Sequence, residues 1–116
     1  FLKTSPDLAM PDVQLLFHGG PLHAKPYLPP FTQPFADGFS VLAVVLRPES
    51  RGRVRLASAD PAQAVRIHQN FLAADRDWRT LRAALRLVRD IGRQPALARF
   101  AESELAPGPT KQSDAD

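Results

Sequence analysis

The stretch FSVLAVVLRPESRGRVRLASADP, residues 39–61, is the part of the sequence that decides the fold. Residues 39–46 form an apolar run rich in β-branched side chains and bounded by turn residues, a pattern typical of a strand. Pro48 has no N–H to donate to a paired strand, and Gly52 suits the turn that follows. Residues 53–57 alternate charged and apolar side chains, which indicates a strand with one solvated face. We therefore expect the two strands to form a hairpin.

Two further extended segments are predicted outside this stretch. The alternation from Val13 to His18 predicts a strand, and residues 65–67 favour a second extended piece. The two faces of the first strand carry different sets of side chains. One face carries Val13, Leu15 and Phe17, and the other carries Gln14, Leu16 and His18.

Helical signals follow these strands. Asp75 is a plausible N-cap for a helix from about Arg76 to Ile91, and Gly92 suits the position just after its end. A second short helix is predicted to begin at Pro95 and to extend toward Leu105. The expected buried stripe of the long helix consists of Trp78, Leu81, Leu85 and Val88.

The segment 21–38 carries five prolines with aromatic residues between them, so no regular element is expected there. We expect a long Pro-rich loop that packs onto another surface, and a disordered tail over residues 107–116. The predicted fold class is α+β, with a small antiparallel sheet packed against one long helix and followed by a short C-terminal helix. Residues 1–116 are interpreted as a single partial domain.

Composition excludes several classes of protein. The chain has 116 residues and no cysteine, so it forms one domain at most, without disulfides or thiolate metal sites. No apolar run is long enough to span a membrane, and the net charge of +3 is mildly basic. The sequence starts at Phe1, without an initiator Met or a signal-peptide pattern, so we expect an internal piece of a longer chain. A cytoplasmic location is expected.

Two groups of residues suggest chemistry but allow simpler interpretations. The three histidines, His18, His23 and His68, have no ligand spacing, so no metal site is predicted. Arginines recur every three or four residues along the long helix, which gives either a solvated face or a surface for an acidic partner. The absence of stacking aromatic residues on that face argues against nucleic acid. These arginines are Arg76, Arg79, Arg82, Arg86, Arg89 and Arg93.

Several motifs together resemble one enzyme family, the glucose–methanol–choline oxidoreductases, especially the choline dehydrogenase-like members. The motifs are Ser5-Pro6-Asp7-Leu8, Pro11-Asp12-Val13-Gln14, Arg47-Pro48-x-Ser50-x-Gly52-x-Val54-x-Leu56, Ser58-Ala59-Asp60-Pro61, Asn70-Phe71-Leu72, and the ending from Pro107-Gly108-Pro109 through Ser113-Asp114-Ala115-Asp116. The family usually has an acidic residue and a proline before the asparagine, where this chain has His68 and Gln69.

The resemblance implies that the parent is an FAD-dependent alcohol oxidase or dehydrogenase, in which a hydride passes from the alcohol carbon to the flavin. This chain would be a fragment of its C-terminal substrate-binding domain. The family's flavin-binding motif and catalytic histidine have no matching position here, so we assign no catalytic or cofactor-binding residue and expect no FAD on this chain alone. Gln14, Leu16 and His18 are the candidates for substrate binding. The implied partners are the alcohol and the flavin domain of the parent, and the isolated chain is expected to self-associate. The alternative is a stand-alone interaction module that uses the arginine-rich helix face.

Overall fold

The computed structural model describes residues 1–22, 24–34 and 37–113. Within these residues, four strands precede two helices, and this arrangement confirms the predicted α+β class. The elements are β1 (Val13–His18), β2 (Ser40–Val45), β3 (Arg53–Arg55), β4 (Arg66–His68), α1 (Asp75–Gly92) and α2 (Pro95–Ala98). His23, one of the three histidines considered for a metal site in the sequence, lies outside the described residues.

The first sheet consists of β1 and β2, which pair antiparallel with Val13 opposite Val45 and His18 opposite Ser40. The predicted limits of β1 are confirmed at both ends. Helix α1 packs against this sheet, mainly along β2. Val13 and Ala84 are fully buried, and they mark the centre of the small core between sheet and helix.

Asp12, the residue before β1, fixes the start of this sheet. Its backbone N–H donates to the carbonyl of Leu2 at 3.1 Å, and its own carbonyl accepts the N–H of Leu46 at 2.9 Å. Its carboxylate accepts the backbone N–H of Thr4 at 2.8 Å and also the Thr4 hydroxyl. Burial raises the pKa of Asp12, but the bonds from Thr4 outweigh burial, so the pKa lies below its ordinary value. The carboxylate therefore remains ionised at neutral pH.

The second sheet consists of β3 and β4, with Arg53 opposite His68 and Arg55 opposite Arg66. The expected hairpin between β2 and β3 is therefore wrong, because each strand pairs with a partner outside residues 39–61. The local pattern identified the strands correctly but could not identify their partners. The turn between the two strands is hydrogen-bonded to Asp77 of α1. Strand β3 therefore does not fold back along β2 and pairs with β4 in a separate sheet.

Gly52 lies where this second sheet begins and has no room for a side chain. A Cβ atom built on Gly52 would lie 2.4 Å from the carbonyl oxygen of His68 and 2.5 Å from that of Gln69. Asn70 follows with a left-handed φ of 51°, and its side-chain amide donates to the carbonyl of Arg51 at 3.0 Å. The close approach of these two segments thus explains the glycine.

Helix α1 extends one residue beyond the predicted limits at each end. The N-cap is Ala74, without a side-chain capping bond, so the prediction of Asp75 as the cap is wrong. Gly92 lies inside the helix, and Arg93 ends it in a right-handed conformation rather than a left-handed one. Helix α2 begins with Pro95, as predicted, but ends at Ala98, well short of Leu105.

The buried side of α1 differs from the predicted stripe. Trp78 is 45% exposed, whereas its neighbour Asp77 is 1% exposed and Ala84 is fully buried. Leu81 and Val88 are half-buried and lie on the same side as Asp77 and Ala84. The buried side of the helix is thus shifted by about one residue from the predicted stripe. Asp77, whose carboxylate accepts hydrogen bonds from the turn after β2, takes the buried position that was expected for Trp78.

The described part of the Pro-rich segment is a loop without strand or helix. Thr32 fastens it: its hydroxyl accepts the N–H of Leu28 and donates to the carbonyl of Pro26 at 2.9 Å. Tyr27, Leu28 and Phe31 remain exposed, Phe31 at 82%. This loop therefore directs apolar side chains outward rather than onto the described core.

Candidate functional site

The candidate substrate-binding residues share one face of β1. Gln14, Leu16 and His18 lie opposite Val44, Leu42 and Ser40 respectively in the paired strand. Because side chains alternate along a strand, this is the face opposite to that of the buried Val13. Leu16 and Leu42 are each more than two-fifths exposed, and His18 is exposed as well. The three side chains thus form one open surface with an apolar centre and polar groups at both ends.

The described part of the chain also forms cavities away from this face. A cavity of about 160 Å³ lies between residues 8–12, the end of β2 and the start of α1. A wider depression of about 450 Å³ lies between residues 37–39 and 99–102. Neither is lined by Gln14, Leu16 or His18. The candidate residues therefore form an open surface on this chain, and their role in substrate binding stays a prediction.

The most organised polar site joins the turn after β2 to the first turn of α1. The Asp77 carboxylate accepts the backbone N–H groups of Glu49 at 2.8 Å and Ser50 at 2.9 Å, and also the Ser50 hydroxyl. The Ser50 oxygen in turn accepts the N–H of Ala74 at 3.0 Å. The hydroxyl of Ser50 and the N–H of Glu49 hold the pKa of Asp77 below its ordinary value. We call these four residues the turn–helix junction.

The arginine-rich face of α1 is partly used inside the molecule. Arg89, whose side chain is only 11% exposed, forms a two-pronged ion pair with Glu104, with bonds of 3.0 and 2.8 Å. It also donates to the carbonyl of Lys111 at 2.6 Å. Arg76 pairs with Glu49 at 2.7 Å, which raises the pKa of its guanidinium. Because Arg76 and Arg89 are paired with carboxylates of this chain, the arginines of α1 do not form one continuous surface for an acidic partner.

The described residues provide neither a cluster of metal ligands nor a membrane-spanning helix. Among residues 1–22, 24–34 and 37–113, no three histidine, cysteine or carboxylate side chains come together as a metal site. Within the same residues, no helix combines the length and apolar character needed to cross a bilayer.

Local sequence patterns do not reveal two features of the structure. From the sequence, Asp77 is an acidic residue whose charge favours the start of the helix, and the signal for its further role is Ser50, a small hydroxyl residue in the turn preceding Gly52. The alternation of residues 53–57 predicts a solvated face with Arg53 and Arg55, but it does not connect Arg66 with them. The spacing Arg53, Arg55 and Arg66 becomes informative only once the strand register is known.

The comparisons with known proteins converge on one family. The family model described as GMC oxidoreductase matches residues 48–116, which begin at the turn before Gly52 and include both helices. The matched segment thus contains the whole turn–helix junction.

Individual relatives are choline dehydrogenases. An oxygen-dependent choline dehydrogenase of Chromohalobacter salexigens is 47% identical over 79 residues, which cover 68% of this chain and 14% of that protein. One of Ectopseudomonas mendocina is 34% identical over 119 residues, which cover 100% of this chain and 20% of that protein. The chain thus spans a fifth or less of the length of these relatives.

Proposed function

Because the chain belongs to the GMC oxidoreductase family, we propose that it is the substrate-domain part of an FAD-dependent alcohol oxidoreductase. The parent enzyme oxidises an alcohol to an aldehyde or ketone and passes the hydride to the flavin. The observation that carries the proposal is the match over residues 48–116, together with the relative from Ectopseudomonas mendocina that aligns with the whole chain. Since the relatives are choline dehydrogenases, choline is the first alcohol to test. A cytoplasmic location of the parent is part of the same proposal.

The exposed area supports a role as one part of a larger protein. The chain exposes 9405 Å², whereas a self-contained globular protein of this mass exposes about 6,300 Å². Its radius of gyration is 18.6 Å, against about 13 Å for a compact domain of this length. In the proposed arrangement, the flavin domain of the parent covers part of this excess surface.

The surface formed by Gln14, Leu16 and His18 is proposed to line the substrate cavity of the parent. Its apolar centre offers contact to the carbon part of an alcohol, and the amide and imidazole groups can hydrogen-bond to a hydroxyl. No residue of this chain is assigned to proton or hydride transfer.

A chimera tests the proposal directly. In the choline dehydrogenase of Ectopseudomonas mendocina, the segment that aligns with this chain is replaced by residues 1–116, and flavin content and choline oxidation are measured. We expect the chimera to retain FAD and measurable oxidation. His18→Ala in the chimera should raise KM several-fold without loss of flavin, whereas Lys3→Ala should leave KM unchanged.

The isolated chain provides the complementary test. Purified residues 1–116 are mixed with FAD, passed through gel filtration and assayed with choline. We expect neither retained flavin nor oxidation, because the chain has no pyrophosphate-binding glycine motif. A chimera that loses flavin and activity together, or an isolated chain that keeps FAD, would contradict the proposal.

A further inference from the structure

The second sheet is a two-stranded ribbon with chemically opposite faces. Because directly opposed residues share a face, Arg53, Arg55, Arg66 and His68 lie on one side. Val54 and Ile67, which are 66% and 64% exposed, lie on the other side. We call the first side the basic ribbon face.

Nothing within the described residues neutralises this face. All four side chains are exposed, and none of them makes a hydrogen bond or an ion pair with another described residue. By contrast, Arg76 and Arg89 on α1 each have a carboxylate partner. The guanidinium and imidazole groups of the basic ribbon face are therefore exposed to solvent and accessible to a ligand.

The register makes the clustering unfavourable for the free chain. Directly opposed residues in an antiparallel pair bring their Cβ atoms to about 4.5–5.5 Å, and like charges in that position destabilise a sheet. Here two arginines, Arg55 and Arg66, oppose each other directly, and Arg53 and His68 are the next pair on the same face. An anion bound between the two guanidinium groups would replace this repulsion by attraction of both groups to the anion.

We propose that the basic ribbon face is a binding site for a multivalent oxyanion, of the phosphate or carboxylate type. Each guanidinium can donate two parallel hydrogen bonds to one oxyanion group, and two opposed guanidiniums can hold one group from both sides. Within the described register of this ribbon, none of the residues on the basic ribbon face is Phe, Tyr or Trp, so the face does not provide the large stacking platform of single-stranded nucleic acid sites. The site is exposed, so binding weakens as salt increases.

The test compares two doubly substituted variants with the same change in net charge. Arg55→Gln with Arg66→Gln removes the opposed pair. The helix variant, Arg79→Gln with Arg93→Gln, removes one exposed arginine of α1 and the exposed arginine that follows the helix and pairs with Asp90. Pyrophosphate and tricarballylate serve as probes, and calorimetry at low ionic strength measures their affinity for the full 116-residue chain. We expect a loss of at least tenfold in the ribbon variant and of less than twofold in the helix variant.

Thermal unfolding supplies a second measurement. Pyrophosphate should raise the Tm of the unsubstituted chain and of the helix variant, because it binds the folded state, but not that of the ribbon variant. Without any anion, the ribbon variant should be at least as stable as the unsubstituted chain, since a repulsive pair has been removed.

Each outcome decides the proposal. Tighter binding of pyrophosphate identifies a phosphate site, and tighter binding of tricarballylate identifies a carboxylate site. Equal losses of affinity in both variants would mean general attraction to a basic protein and would overturn the proposal, as would no binding of either probe. A lower Tm of the ribbon variant without anion would show that the arginines support the fold instead. None of these outcomes depends on the proposed alcohol oxidation.

Discussion

At the scale of single residues, the second sheet depends on Gly52 at its start. A methyl group at this position would meet two backbone carbonyl oxygens, and backbone atoms cannot move aside as a flexible side chain can. We expect Gly52→Ala to lower the free energy of unfolding by about 1–3 kcal/mol, the usual cost of overpacking. Gly19→Ala is the matched control, because nothing lies within 4 Å of a Cβ built there. Urea denaturation of both variants checks this, and equal effects at the two glycines would contradict it.

The hydroxyl of Ser50 is the second small group on which the turn depends. It donates to the Asp77 carboxylate and accepts the N–H of Ala74, so its removal leaves a buried charge with one donor fewer. Ser50→Ala should therefore cost about 1–3 kcal/mol of stability. Ser103→Ala, at an exposed position, should change stability by less than about 0.5 kcal/mol. If the Ser50 variant unfolds at the same urea concentration as the Ser103 variant, the turn–helix junction does not stabilise the fold.

Helical periodicity predicts that Trp78 is buried, whereas the structure buries its neighbour Asp77. A helical pattern ranks positions by apolar character, so it selects tryptophan over aspartate for the core. A buried carboxylate becomes acceptable only when donors from another segment satisfy it, here the backbone of the turn after β2. Those donors are 27 and 28 residues away in sequence. No local pattern on the helix could therefore identify Asp77 as the anchor.

At the scale of elements, α1 is bonded to the segment that follows α2. Arg89 binds the Glu104 carboxylate and the Lys111 carbonyl, and Glu104 also accepts the N–H of Gly108 at 3.3 Å. Arg89→Gln should release residues 104–111 and increase amide hydrogen exchange there, whereas Arg79→Gln should not. The same experiment tests the disorder predicted for residues 107–116. If this tail is disordered, its amide hydrogens exchange without protection even in the unsubstituted chain. Unchanged exchange in the Arg89 variant would contradict a stabilising role of this ion pair.

The carboxylates that join elements predict how stability depends on pH. The hydrogen bond from Ser50 lowers the pKa of Asp77, and that from Arg89 lowers the pKa of Glu104. Unfolded carboxyl groups titrate near pH 4, as in model peptides, which is above these folded values. The stabilisation is thus complete above about pH 5 and is lost as the pH falls through the folded pKa values.

Thermal unfolding at a series of pH values checks this prediction. The Tm should be level from about pH 7 to 5 and should fall progressively below about pH 4. Glu104→Gln should lower the Tm at neutral pH and flatten the decline in acid. A Tm that stays constant down to about pH 3 would show that these pairs contribute nothing to folding.

Local patterns in the sequence identify most of the strands and helices but not which strands pair. The limits of β1 and the existence of β2, β3 and α1 follow from local patterns of apolar residues, which are properties of short windows. The pairing of β1 with β2 joins strands separated by the whole Pro-rich segment, and no pattern within either strand specifies it. The open face with Gln14, Leu16 and His18 could be predicted from alternation, whereas its separation from both cavities could not.

At the scale of the whole molecule, the exposed apolar surface predicts association of the isolated chain. Leu16 and Leu42 lie side by side on the open face of the first sheet, and monomeric proteins rarely expose large apolar patches. We expect the average mass from light scattering to rise with concentration across a dilution series. Leu42→Lys should reduce this rise, whereas Leu105→Lys, at another exposed leucine, should not. A monomer at every concentration, without binding of a hydrophobic dye, would contradict the prediction.

The hydrogen bonds of Asp12 also decide which side chains the first sheet presents to its surroundings. Strand β2 is apolar on both faces, so sliding it by one residue past β1 would exchange one apolar set for the other with little loss of burial. Asp12 prevents such a slip, because its main chain is fastened to Leu2 and Leu46 and its carboxylate to Thr4. The bond between the Asp12 carbonyl and the Leu46 N–H therefore determines that Leu42, and not its neighbour Ala43, lies on the open face.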